Sequence, residues 1–266
     1  MTTALRVAPE KNLFIVAHHL FRTRTTKPHD SRREQSIFRG NRLKIETLTE
    51  PKVPHGRTRR CMNLIFDFDG TLADTFSLYL KVMRSIHREY GFKYISDEHI
   101  ARYQQMSGRE IFRDLGISML HLPRVVRRVR KEFKKELNTQ QMFSGWPEVL
   151  ISLKARECRL YIVSSNSGAS ISRLMENHDA NHFEKIISEP RIFGKARSIR
   201  KLMKQRNMDP RHTYYIGDEL RDIDAARRSG IAIISVSWGY NCPKTLATRQ
   251  PDFMINHPSE LLFLPP

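Results

Sequence analysis

The sequence predicts an α/β fold, an open parallel sheet with helices on both faces and a small helical domain inserted after the first strand. Three observations predict it. Apolar runs of three to six residues recur at 63–66, 160–163, 213–216, 231–236 and 253–255. Helical stretches alternate with them, the pattern of β–α–β units. The gap between the first two runs is far too long for a loop and reads as several helices.

Taken in order, residues 1–61 hold no sustained period of 2 or 3.6 and mix Arg, Thr, His, Pro and Ser. Fourteen Lys or Arg stand there against five Asp or Glu, so +9 of the formal net charge of +18 falls in less than a quarter of the 266 residues. The apolar stretch Leu13–Ala17 is too short to span a membrane and poorly placed for a secretory signal. Three readings compete: a disordered basic arm, upstream sequence ahead of a start at Met62, and a transit peptide, since the first 25 residues contain one acid, Glu10.

Asn63-Leu64-Ile65-Phe66 is continuously apolar after Asn63, as in a parallel strand buried on both faces. A helical insertion follows over 76–143, with helices expected at Phe76–Tyr90, Ser96–Met106, Glu110–Leu115 and Pro123–Leu137. The last carries Val125, Val126, Val129, Phe133 and Leu137 as an apolar stripe on an otherwise basic helix. From 144 the sheet pattern resumes. Helices are expected at Pro147–Lys154, Ala169–Asn177, Ala196–Gln205 and Ile223–Ser229, the last closed by Gly230 as a C′ glycine. Strands are expected at Leu160–Val163, Thr213–Ile216, Ile231–Val236 and Phe253–Ile255, with a short helix capped by Pro258-Ser259 at the end. The main domain is therefore expected to comprise 62–75 with 144–266, and the inserted domain 76–143.

With 39% apolar and 28% charged residues, the chain can bury a sizeable core. Its three cysteines, Cys61, Cys158 and Cys242, form no CxxC pair, which disfavours a disulfide framework or structural zinc and suits a reducing, cytoplasmic setting. No apolar run approaches the roughly 18–20 residues that cross a bilayer, so no membrane partner is expected. The positive charge raises the thought of nucleic acid, most of all through the N-terminal segment, but basic tails are usually only solvated.

The chemistry sits at the ends of the expected strands, where open α/β sheets place ligands. Asp67 and Asp69 are two apart after the first run, so both carboxylates face one site. Gly70 permits a sharp turn, and Thr71 offers a hydroxyl and backbone NH groups to phosphate oxygens. A second strand ends in Gly217-Asp218-Glu219, with Asp222 four residues past Asp218. Crowded carboxylates repel and raise one another's pKa unless a cation joins them. Magnesium, which takes one or two carboxylates with phosphate and water, suits Asp67 and Asp218, with the Asp69 carbonyl beside them. Ser164-Ser165-Asn166 provide short donors after the second strand, and Lys195 brings an ammonium at a helix start. Isolated, each signal is ordinary; their order is what informs.

The chain resembles the haloacid dehalogenase-like hydrolase superfamily, in its phosphoglycolate phosphatase-like branch. The likeness runs through DFDGTLADT (67–75), IVSSN (162–166), FGK (193–195) and IGDELRDIDAARRSG (216–230), with VSWGYN (236–241) and PDFMINHPSEL (251–261) after them. It covers about 62–262 and has no counterpart for 1–61. The resemblance implies a Rossmann-like sheet with a mobile helical cap and magnesium as cofactor. It implies Asp67 as nucleophile, Asp69 as general acid and base, and Lys195 steadying nucleophile and phosphate. Asp218 would bind the metal, with Asp222 just behind it. Ser164 or Ser165 would hold the phosphoryl group. The function implied is hydrolysis of a small phosphorylated metabolite, phosphoglycolate-like, through an aspartyl phosphate, by a monomer or homodimer.

Two other functions remain in play. A phosphomutase uses the same two aspartates, and a basic nucleic-acid-binding protein could sit on a hydrolase scaffold. The resemblance implies that a second acid at Asp69 disfavours dehalogenation, and nothing singles out Lys81 or Lys93 for phosphonate cleavage. Arg102, Gln105, Ser107, Gly108 and Arg109 are expected near the substrate on the cap side, the histidines form no ligand pattern, and Trp146 and Trp238 are expected to be packing residues.

Overall fold

The computed structural model describes residues 62–118, 120–136, 140–189 and 194–264. The expectations for residues 1–61, with Leu137 of the fourth insertion helix and Phe193 of the FGK motif, lie outside them.

Among the described residues, six parallel strands form one sheet in the order β3-β2-β1-β4-β5-β6. They are β1 Asn63–Phe66, β2 Arg159–Ser164, β3 Lys185–Ser188, β4 Thr213–Gly217, β5 Ala232–Val236 and β6 Phe253–Ile255. Leu64 pairs in register with Leu160 and Tyr214, and Ile65 with Tyr161 and Tyr215. Successive side chains therefore enter opposite cores. Leu64, Phe66, Leu160, Ile162 and Ile216 pack with α5 (Trp146–Ala155) and α6 (Gly168–Asn177) on one face. Ile65, Tyr161, Val163, Tyr215 and Ile233 pack with α7 (Lys195–Arg206) and α8 (Leu220–Ser229) on the other. Burial on both sides is why these strands read as unbroken apolar runs.

The order places β1 in the centre, with the chain leaving it toward β2 and later returning on its other side at β4. The crevice at their carboxyl ends is a topological switch point, the expected ligand position in such a sheet.

Between β1 and β2 stand α1 (Phe76–Tyr90), α2 (Asp97–Tyr103), α3 (Gly108–Asp114) and α4 (Leu122–Glu136). Helix α1 buries Leu78, Val82, Met83 and Ile86, and α4 answers with Leu122, Val125 and Phe133. Ser107 starts α3 through a reciprocal capping box with Glu110, which sets its N-terminus two residues before the expected one. Gly230 closes α8 at φ 70°, in the left-handed conformation expected of it.

Strand β3 is absent from the sequence expectation. It is a four-residue edge strand, half-buried and ending on exposed Ser188, so Lys185-Ile186-Ile187-Ser188 shows neither a long apolar run nor clean alternation. A short helix α9 (Pro243–Ala247) and 3-10 turns at Pro210–His212 and Pro258–Phe263 complete the described chain, the last where a final helix was expected. None of the described helices is long and apolar enough to cross a membrane.

Candidate active site

Strand β1 hands its last residue to a tight loop. Asp67 N donates to Ile216 O of β4 at 2.8 Å, which extends the pairing one residue past the strand. Leu72 N and Ala73 N both donate to Phe68 O at 2.9 Å, and Gly70 N donates to Ala73 O at 2.9 Å. Gly70 turns at φ +77°, and a Cβ there would stand 2.3 Å from Asp218 Oδ2. Glycine is required on both counts.

Asp67, Asp218 and Asp222 are buried and converge, each offering a carboxylate oxygen within 4.8 Å of the others. Lys195, also buried, bonds Asp67 Oδ2 and, at 2.5 Å, Asp222 Oδ1. Asp222 Oδ2 accepts from Asp218 N at 3.2 Å and Glu219 N at 3.0 Å. Asp222 thus serves the lysine and the turn after β4, whereas Asp67 and Asp218 keep carboxylate oxygens within 4.8 Å of each other. Thr71 Oγ1 donates to Asp218 Oδ1 at 2.7 Å, and Tyr240 N to Asp218 Oδ2 at 2.7 Å. The threonine hydroxyl, expected to face a phosphate, is directed at a carboxylate.

Burial pushes the Asp67 carboxyl above its ordinary pKa; Lys195 opposes the shift and Asp222 adds to it. Asp218 is driven well above the ordinary value, by burial first and then by Glu219, Asp222 and Asp67. Asp69, partly open to solvent, is raised to about 6 by burial and by the neighbouring Asp67. Lys195 is pulled down by burial, but the Asp222 and Asp67 carboxylates outweigh that and raise it. Carboxylates held in this way lack positive charge. The pair Asp67 and Asp218 therefore fits a hard divalent cation, which prefers oxygen donors.

Asp69, expected to share one site with Asp67, is not among these converging carboxylates. Its Oδ1 accepts from Asn166 Nδ2 at 3.1 Å, and it lines a cavity of about 200 Å³ that opens toward α1 to α4. Ser164 is fully buried at the end of β2, and its Oγ accepts from Asn166 N at 3.1 Å. Ser165 stands on the cavity wall, where its carbonyl accepts from Arg130 Nη2 at 2.7 Å. The walls are largely apolar, with Phe76, Tyr79, Val129 and Phe133 among them; Arg130 and the Arg221–Glu219 pair supply charge.

Of the five residues expected near the substrate on the inserted helices, Gly108 reaches the cavity. Arg102 instead pairs with Asp114 at the surface, exposed Gln105 donates back to Ala101 O at 3.1 Å, and Ser107 is occupied in capping α3. Arg109 is exposed. A shift of one or two positions on a helix turns a residue to another face, and sequence spacing does not set that rotation.

Several contributors escaped the sequence reading. Trp146 Nε1 and Trp238 Nε1 both donate to Thr71 O, at 2.8 and 3.1 Å, so these packing residues also brace the loop after β1. Tyr240 carries a phenol 3.0 Å from Thr75 Oγ1. Asn166, read from the sequence as a donor to phosphate, instead holds Asp69. Tyr240 had no sequence signal beyond membership of the VSWGYN string.

Comparison with known proteins settles the family. A profile of haloacid dehalogenase-like hydrolases matches residues 64–236. The chain belongs to this family. It is 32% identical over 200 residues to a phosphoglycolate phosphatase of Synechococcus elongatus, covering 75% of this chain and 94% of the relative. A 5'-nucleotidase of Pseudomonas aeruginosa is 26% identical over 72% of this chain and 90% of its own. A solved haloacid dehalogenase-like family hydrolase from Streptococcus pneumoniae superposes with a TM-score of 0.64 at 24% identity, over 76% of this chain and 97% of that one. This haloacid dehalogenase-like hydrolase is accordingly an enzyme of the phosphatase kind, with the α/β fold and inserted helices of its relatives.

Proposed function

We propose that the enzyme is a magnesium-dependent phosphatase that cleaves a small-molecule phosphate monoester, phosphoglycolate-like, by way of an aspartyl phosphate on Asp67. One observation carries the reading: Asp67 is bonded to Lys195 and faces Asp218, while Asp69, two residues on, turns to the cavity. A nucleophile and a proton carrier thus address opposite ends of the bond to be broken.

Asp67 attacks phosphorus as the bond to the leaving oxygen breaks, and the phosphoryl group passes to its carboxylate. Asp69 donates a proton to that oxygen, then takes one from the water that attacks the acyl phosphate, which releases phosphate and restores Asp67. Its pKa near 6 suits both directions of transfer around neutral pH. Lys195 opposes the burial that raises the Asp67 pKa and balances the phosphoryl oxygens, the main demand of phosphoryl transfer. Ser164, which ends β2, and Ser165 after it would hold the phosphoryl group. Held by Asp67, Asp218 and the Asp69 carbonyl, magnesium would neutralise the carboxylates and polarise a phosphoryl oxygen.

The cavity beyond Asp69 is the place for the leaving alcohol. Its volume of about 200 Å³ suits a small metabolite rather than a polymer. The helices α1 to α4 act in this account as a cap that shields the reacting centre from bulk water. The domain division 62–75 with 144–266 and 76–143 follows from the same reading.

A screen of phosphorylated metabolites with magnesium tests the proposal, run beside Asp67→Asn. Turnover of one or more small monoesters by the natural chain and none by the variant is the expected result. Equal turnover by both would remove Asp67 from the mechanism.

A further inference from the structure

The loop after β5 meets both the site and the inserted helices, and one side chain in it, Asn241, makes contacts from both ends of its amide. Asn241 is buried. Its Oδ1 accepts from Leu220 N at 3.0 Å, the first residue of α8 and two beyond Asp218. Its Nδ2 donates to Gln104 O and Met106 O, both at 3.0 Å, just past the end of α2. Cys242 N adds a bond to Gln104 O at 3.0 Å. The same loop grips the metal-facing acid: Tyr240 N donates to Asp218 Oδ2 at 2.7 Å and Asn241 N to Asp218 O at 3.3 Å. Carbonyls at a helix end need outside partners, and here the partner is tied to the acid loop.

We infer that Asn241 couples the cap to the metal site, so that the Gln104–Met106 edge seats fully when the Asp218 loop takes its cation-holding form. This rests on the reading of Asp67 and Asp218 as a magnesium site. Asn241 is a positioning residue, since it acts through the loop and the cap edge. The buried amide is satisfied at both ends only when both partners are in place. Coupling of this kind is reciprocal: a cation that orders the acid loop steadies the cap, and a seated cap steadies the loop.

Hydrogen exchange of the full chain, with and without magnesium chloride, tests this beside a calorimetric magnesium titration. In the natural chain, the metal should slow exchange over 97–107 by about fivefold or more, within the usual range of coupling between sites. Asn241→Asp keeps an oxygen for Leu220 N but turns a second oxygen toward two carbonyls. It should still bind magnesium but lose the added protection over 97–107. Cys242→Pro gives a second variant: Cys242 has φ −70°, which suits proline, and the change deletes its bond to Gln104 O. It should lose part of the protection. Magnesium binding without a change over 97–107 in the natural chain overturns the coupling, as does full protection in both variants. No magnesium binding at all in the natural chain would sink the metal reading, and the coupling with it.

Discussion

Asp218 shows how closely this site is built. Thr71 and Tyr240 hold its two carboxylate oxygens, and a Cβ at Gly239 would stand 2.1 Å from its own Cβ. Gly239→Ala should therefore displace Asp218 and weaken magnesium binding by about tenfold or more, a loss that titration would read. The carboxylates also set a pH dependence. Asp67, Asp69 and Asp218 all have folded pKa values above their ordinary 3.8. Such groups hold protons more tightly when folded, so their contribution favours the fold below 3.8 and is lost as pH rises, through about 6 for Asp69. Magnesium competes with those protons. Its stabilisation should be largest near pH 8 and shrink toward pH 5; at about 100 times Kd it amounts to about 2.7 kcal/mol, or roughly 5–10 °C in Tm. Equal thermal shifts at both pH values would contradict the assignment. Of these residues, Asp67, Asp69, Lys195, Asp218 and Asp222 were legible because each follows an apolar run or opens a helix. Tyr240 and Asn241 were not, and Asn166 was read as a phosphate donor rather than as the partner of Asp69, since their partners are remote in sequence and meet them through tertiary crossing alone.

At the scale of elements, two tryptophans join the loop after β1 to the sheet's cover. Trp146, at the start of α5, is fully buried against Phe66, with ring centroids 5.4 Å apart, and donates to Thr71 O. Trp146→Phe keeps most of the packing and removes that bond. It should cost about 1–2 kcal/mol in stability, as a lost buried hydrogen bond does, and lower kcat more than KM rises. Denaturant unfolding with steady-state kinetics measures both. A loss of stability with unchanged turnover would reduce Trp146 to packing, as the sequence suggested. The same scale explains what composition could predict: β1, β2, β4 and β5 are covered on both faces and announce themselves, whereas edge strand β3 is half-exposed and does not.

Over the whole molecule, both apolar cores, the inserted helices and every candidate site residue lie within 62–264. A chain beginning at Met62 retains every residue given a part in the proposed chemistry, so it should keep its kcat/KM within about twofold and its Tm within a few degrees. Salt-sensitive RNA retention by the full chain, absent from the shorter one, would instead reveal a separate role for the basic segment. The fold class was readable because strand and helix periods alternate over most of the chain. The substrate was not, because it depends on how α1 to α4 lie over the sheet.

The central claim is that a carboxylate at the end of β1 receives the phosphoryl group. Rapid acid quench of the enzyme turning over a phosphate monoester with magnesium, followed by peptide mass spectrometry, tests it directly. The account predicts a phosphoryl adduct on the peptide bearing Asp67, absent from Asp67→Asn. Active enzyme with its adduct on another residue, or undiminished turnover in the variant, would contradict it.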